Sequence, residues 1–201
     1  MIFVQQKLKW VLTAAALALS GCVQVSVETT NLDPYSDTSA TEAAKTFIKT
    51  GDTAPAWRGV DLFDGSPVIF PDVAQGAPSV LVFWASWCPY SKAYLPYLEG
   101  LQWDYEDTDI KIISLNAKQR NYGDPATFVQ SLGFPLKVIR DADTIAADYG
   151  VEFVPGIFVV DGEGTVIYRR ASTDQPAGPV IASQWDREVR EALERALGRG
   201  P

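Results

Sequence analysis

The chain has 201 residues, 25 acidic against 17 basic for a net charge of −8, two cysteines, no histidine and 47% hydrophobic residues. That is enough for one ordinary globular domain with an appendage. The missing histidine excludes Ser-His-Asp and Cys-His triads, imidazole bases and the usual zinc sites; two cysteines exclude a disulfide-dense scaffold, and the acidic balance argues against a nucleic-acid partner gripped through its phosphates.

Residues 1–21 carry Lys7 and Lys9, no acid, an uncharged run from Trp10 to Leu19, and then Ser20 and Gly21. This is the three-part plan of a secretory signal peptide, and the apolar run is too short for a membrane span, which takes ~20 residues as helix. Leu19-Ser20-Gly21-Cys22 resembles the lipobox of bacterial lipoproteins, in which the peptidase cuts before the cysteine and acyl chains are attached to it. The resemblance implies that Cys22 is a lipidation site, that the membrane is reached through lipid, and that the protein faces the periplasm in a bacterial cell envelope. Loss of Lys7 and Lys9 with the leader would leave attachment to the acyl chains and not to a basic patch. Val23 after that cysteine, where some bacteria use Asp for inner-membrane retention, favours the outer membrane. The alternative is a simple cleaved leader followed by a coincidental cysteine.

From residue 22 to residue 50 the sequence is rich in Ser, Thr, Asp and Ala without sustained periodicity, which predicts a flexible tether with a mean span on the order of 30 Å. Thr41 followed by Glu42 to Ile48 predicts a short capped helix at its far end. The domain proper is expected over residues 51–198. Val68 to Phe70 predicts a short strand, and Ser79 to Ala85, continuously apolar, a central strand buried on both faces. Pro89 to Asp104 has a helical pattern that Pro96 must kink or break. Ile110 to Leu115 predicts a strand, Pro125 to Leu132 a helix, Leu136 to Ile139 a strand, and Thr144 to Tyr149 a helix ended by Gly150. Ile157 to Val160 and Thr165 to Tyr168 flank Asp161-Gly-Glu-Gly as a hairpin. Ser183 to Leu197 predicts a closing helix, with Ser183 as N-cap and an apolar stripe of Trp185, Val189, Leu193 and Leu197. Such alternation gives an α/β fold with a mixed sheet covered on both faces.

One segment carries chemistry: Trp87-Cys88-Pro89-Tyr90-Ser91, where the central strand runs directly into a helix. Cys88 is placed at that helix's N-terminus, where unpaired N–H groups and the dipole favour the thiolate, the nucleophilic form. These residues, Pro96 beyond them, and Tyr149-Gly150-Val151 leading into Val154-Pro155-Gly156 resemble the thioredoxin superfamily, in particular the membrane-tethered proteins of the TlpA/ResA type, over roughly residues 51–198. The resemblance implies a thioredoxin-like fold, mixed central β-sheet flanked by helices, and a cis Pro155 facing Cys88, where neighbouring backbone pairs with an extended substrate. It makes Cys88, Ser91 and Pro155 the catalytic candidates, and Trp87, Pro89, Tyr90 and Val154 the lining of the substrate groove. It implies no cofactor and no metal, and partners that are protein thiols and disulfides or a low-molecular-weight thiol.

The sequence also departs from that family. Disulfide reductases of this type carry Cys-x-x-Cys, whereas Ser91 stands at the second position, and Cys22 does not replace it if lipid occupies its sulfur. The Ser91 hydroxyl can donate a hydrogen bond to a thiolate but cannot form a disulfide. The acid that assists proton transfer in many relatives is missing too, with Val82 and Tyr94 six residues either side of Cys88. A self-contained dithiol cycle is thereby excluded. The one-cysteine readings left are isomerisation, in which a second substrate thiol displaces Cys88, and deglutathionylation, in which a small thiol does. Cys-Pro-Tyr-Ser itself resembles glutaredoxin sites lacking the second cysteine. A thiol peroxidase fits poorly, because Leu81 and Ala85 stand where the peroxiredoxin pattern needs proline and a hydroxyl residue. The non-enzymatic alternative is a redox-silent binding module, with Cys88 an inert core thiol. Plainer roles also stand beside the sharper ones: Ser91 as a polar first-turn residue, Trp84 as core, Trp87 and Tyr90 as local packing, and Lys92 as a solvated lysine instead of a thiolate partner. Asp72, Asp104 and Asp107 form no readable carboxylate pair or metal site.

Overall fold

The computed structural model describes residues 47–170 and 179–199. The leader, Cys22 and all of the tether before Phe47 lie outside the described residues, as does the predicted helix from Thr41 up to that point. Ile48 packs against the core and Phe47 against Gly150, so the packed chain begins slightly upstream of Gly51.

Among the described residues seven strands form one mixed sheet: β1 (Trp57–Asp61), β2 (Pro67–Phe70), β3 (Ser79–Trp84), β4 (Lys111–Asn116), β5 (Lys137–Arg140), β6 (Gly156–Val160) and β7 (Val166–Arg170). Their order is β2-β1-β5-β4-β3-β6-β7, with β3, β4 and β5 parallel to one another and the other pairs antiparallel. Among the described residues five α-helices cover it: α1 (Pro89–Tyr94), α2 (Tyr97–Asp104), α3 (Pro125–Leu132), α4 (Asp143–Asp148) and α5 (Pro179–Ala196).

β3 is buried along its whole length, as its unbroken apolar run requires. Its side chains alternate between two cores. Leu81 and Phe83 join Leu115, Tyr149 and Phe158 on the α4 face, while Val80, Val82 and Trp84 join Leu98, Leu101, Val129, Trp185 and Val189 on the face covered by the other helices. On the first face Phe83, Tyr149 and Phe158 meet ring to ring at centroid distances of 5.1–5.8 Å.

The helical pattern over residues 89–104 is broken at Pro96 into two helices, as its interior proline required, because Pro96 has no N–H to donate to Lys92 and its ring crowds the turn before it. One predicted boundary is corrected and one strand is added. The closing helix already includes Pro179 (Pro179–Ala196), so Ser183 is not its N-cap; the Ser183 hydroxyl donates instead to the Val180 carbonyl at 2.8 Å, and buried Ile181 and Ala182 extend the apolar stripe upstream. β1 is an addition. Its Trp-Arg-Gly-Val-Asp sequence lacks alternation, and its Gly59 is there because a Cβ would stand 2.3 Å from Ile139 Cγ2 on the neighbouring strand.

Candidate active site

β3 ends at Trp84, and four residues later Cys88 is the N-cap of α1, in extended backbone with φ −82° and ψ 119°. Pro89 at the first helical position needs no hydrogen-bond acceptor, and the Cys88 carbonyl accepts the first helical bond from Lys92 N–H at 3.0 Å. The turn into β6 approaches from the other side. Its Val154–Pro155 peptide is cis, and the Cys88 thiol donates to the Val154 carbonyl with Sγ···O 3.2 Å. Cys88 is 3% exposed.

The first helical turn brings Ser91 beneath the cysteine, fully buried. Its hydroxyl accepts from the Ala85 N–H at 3.5 Å, which ties α1 to the end of β3. Lys92 is exposed, with Nζ 5.9 Å from the centre of the Phe128 ring on α3. Trp84 is core, packed on that same Phe128 ring at 5.6 Å, and Tyr94 is fully buried, with its hydroxyl unpartnered among the described residues. Asp104 is in an ion pair with Arg190 at 2.6 Å.

A groove of about 540 Å³ opens over the sulfur. Trp87, Pro89, Tyr90 and Val154 all line it, together with Lys118, Gln119, Arg120, Glu152 and Phe153. Phe153 is half exposed at its rim. Trp87 is both packed and groove-lining: its indole N–H donates to the Lys118 carbonyl at 2.8 Å, and the Arg120 guanidinium lies 4.4 Å from its ring centre.

Lys118, Gln119 and Arg120, which form one wall of the groove in the segment 117–124, had no signal in the sequence beyond the helix start at Pro125. This wall is held by Gln119, whose Oε1 accepts from the Ser86 N–H (3.0 Å) and Asn116 Nδ2 (3.1 Å), while Nε2 donates to Ser86 Oγ (2.9 Å) and the Tyr122 carbonyl (2.8 Å). Gly123 adopts φ +77°, and a Cβ there would stand 2.8 Å from Ser86 Oγ, so the close approach requires glycine. Asp124 then caps α3 by accepting from the Ala126 and Thr127 N–H groups, and its hydrogen bonds with Thr127 hold the carboxyl below the ordinary range.

Arg170, at the end of β7, was also missed. A guanidinium nitrogen donates to the Pro155 carbonyl, and the group lies 3.6 Å from the centre of the Trp185 ring on α5. Burial lowers its pKa, against the opposing charges of Tyr168, Glu188 and Cys88.

A mixed seven-stranded sheet flanked by helices is a thioredoxin-like fold, and in it Cys88 lies at a helix N-cap against the Val154–Pro155 turn, beneath an open groove. The chain belongs to the Redoxin family, which it matches over residues 49–183. It is 29% identical over 153 residues to the thiol:disulfide interchange protein DsbE of Vibrio cholerae serotype O1, covering 75% of this chain and 77% of that one. In fold it is similar to the thioredoxin domain of a thiol-disulfide oxidoreductase from Bacteroides vulgatus (TM-score 0.56, 22% identity, 71% of this chain and 99% of that one). It is also similar to a secreted disulfide oxidoreductase from Mycobacterium tuberculosis (TM-score 0.52, 22% identity, 66% and 95%).

Proposed function

We propose that this protein is a thiol–disulfide exchange protein of the bacterial cell envelope that works through one cysteine. The observation that carries the reading is the placement of Cys88 Sγ against the Val154–Pro155 turn beneath an open groove, with Ser91 at the position a second thiol would need. In the first step the Cys88 thiolate attacks one sulfur of a substrate disulfide. A bond forms between Cys88 and that sulfur, the substrate S–S bond breaks, and the departing sulfur leaves as a thiolate and takes up a proton from water. In the second step another thiolate, from the same substrate or from a small thiol, attacks the mixed disulfide and releases Cys88 unchanged. With a thiolate of the same substrate the disulfide is redistributed among substrate sulfurs; with a small thiol the electrons come from that thiol, which ends in a disulfide. In both cases the protein undergoes no net oxidation and the cycle needs no cofactor. The backbone at Val154 offers hydrogen-bonding groups to a bound chain, and Trp87, Pro89, Tyr90 and Phe153 supply apolar contact.

In this reading Ser91 and the helix N-terminus support the thiolate: the Ser91 oxygen accepts from the Ala85 N–H, which leaves its O–H to donate to sulfur once the thiol proton is lost. Cys22 carries lipid and residues 23–46 span the distance to a membrane facing the periplasm, by preference the outer one, as in the TlpA/ResA type. A second reading, a binding scaffold that has lost turnover, draws on the near-complete burial of Cys88. The two separate when the full chain carrying Cys22→Ser is incubated with oxidised glutathione and followed by intact mass. The exchange reading predicts one glutathione adduct, absent in Cys88→Ala and removed by excess free thiol. A folded protein that takes up no adduct would establish the scaffold.

A further inference from the structure

We infer that Arg170 is a positioning residue of the site, clamping the Pro155 carbonyl and holding a permanent positive charge on the far side of the turn that faces Cys88. The inference rests on the exchange reading and adds to it a group that the sequence motif does not contain. Val154 and Pro155 are consecutive, and their carbonyls have different partners: Val154 receives the Cys88 thiol at 3.2 Å, and Pro155 receives the Arg170 guanidinium. The guanidinium is fixed on two sides at once, in the plane of its hydrogen bond by Pro155 and across its face by Trp185 at 3.6 Å. It is partly buried, so its charge is less screened than a surface one.

The groups around it come from three elements. Tyr168 lies on its own strand, Glu188 on α5 and Tyr94 on α1, and the Tyr168 hydroxyl donates to Glu188 at 2.8 Å. Glu188 also accepts from Gln184 at 2.8 Å. Its carboxylate is thus occupied by neutral donors and forms no salt bridge with Arg170 among the described residues. Lys118, Arg120 and Glu152 carry charge on the groove side of Cys88, and Arg170 brings a positive charge to the opposite side of the Val154–Pro155 turn. In this inference that charge stabilises the negative charge that develops on sulfur when Cys88 leaves the mixed disulfide.

The test uses the full chain with Cys22→Ser, so that Cys88 is the reacting thiol, and 4,4′-dithiodipyridine, a disulfide without net charge. Arg170→Gln retains a donor for the Pro155 carbonyl but removes the charge; it is expected to react about ten-fold more slowly near neutral pH, with the deficit closing above about pH 9, where a thiol ionises unaided. Arg170→Lys retains the charge and is expected within about three-fold of the parent. A residue that only braced the turn would slow both variants alike at every pH. The inference is overturned if folded Arg170→Gln keeps the parental rate and pH dependence, or if Arg170→Lys falls as far as Arg170→Gln. Should Arg170→Gln not fold, as judged by circular dichroism, Arg170→Met is measured in its place. Failure of both neutral variants to fold would make the residue structural and overturn the inference as well. An unreactive parent would be a different result, removing the exchange reading itself and this inference with it.

Discussion

Replacing Gln119 by Met keeps the length of the side chain and deletes the polar atoms that clasp the groove wall to the strand–helix turn. Four hydrogen bonds between 2.8 and 3.1 Å are lost. The Asn116 amide keeps its bond to the Trp84 carbonyl at 3.3 Å, and the Tyr122 carbonyl lies on an exposed stretch where water can replace its donor. The Ser86 N–H has no such recourse, because Ser86 is 3% exposed. A buried donor left unmade costs about 1–3 kcal/mol, and the remaining bonds add about 1 kcal/mol together once rehydration is counted, for a total of roughly 2–4 kcal/mol. For a domain of this size that corresponds to a fall in Tm of about 5–12 °C. Thermal unfolding gives the total, and amide hydrogen exchange over residues 117–124 shows whether it is localised there. A loss under about 0.5 kcal/mol with unchanged loop protection would refute the role given to Gln119.

Gly123→Ala is expected to destabilise by about 1–2 kcal/mol on backbone conformation alone, and the 2.8 Å approach to Ser86 Oγ adds to it; an unchanged Tm would contradict the requirement for glycine. Ser91→Cys should place a second thiol one turn from Cys88 and confer reduction of insulin disulfides in the presence of dithiothreitol; a folded variant without that gain counts against the reading of the site. Burial pushes up Tyr94, Tyr149 and Tyr168, and burial with the Glu194 hydrogen bond pushes Tyr105 up to about 12. The folded state therefore keeps these protons after the unfolded chain has lost them, so this contribution to stability is full below about pH 10 and is lost as pH rises through the folded values. Absorbance titration at high pH should show these four ionising late or together with unfolding, and all tyrosines titrating near pH 10 in the folded state would be the contrary result.

Much of this architecture was legible because it is written in local chemistry. The apolar run at β3, the proline that divides α1 from α2, the glycine after α4 and the Asp-Gly-Glu-Gly turn each act through backbone or burial rules that depend on few neighbours. The strand–helix junction at Cys88 and the turn at Pro155 were visible for the same reason, although their apposition was available only through family resemblance. What was not legible depends on distant partners. β1 is a strand because Ile139 and Phe70 flank it, in spite of its glycine. Gln119 and Arg170 have nothing unusual beside them in sequence; their partners are Ser86 and Asn116 in one case, and Pro155 and Trp185 in the other. The Ser183 expectation failed because a hydroxyl before an apolar stripe suits a cap and an i−3 bond within a helix equally well.

The central claim, that Cys88 is a working nucleophile, is tested most directly by its rate of alkylation with iodoacetamide across the pH range, measured on the full chain carrying Cys22→Ser with free glutathione as the reference thiol. The account predicts that near neutral pH Cys88 is alkylated faster than glutathione, the mark of a thiolate already present and accessible. Alkylation slower than glutathione at every pH, in a folded protein, would contradict it and leave Cys88 a core residue of a binding scaffold.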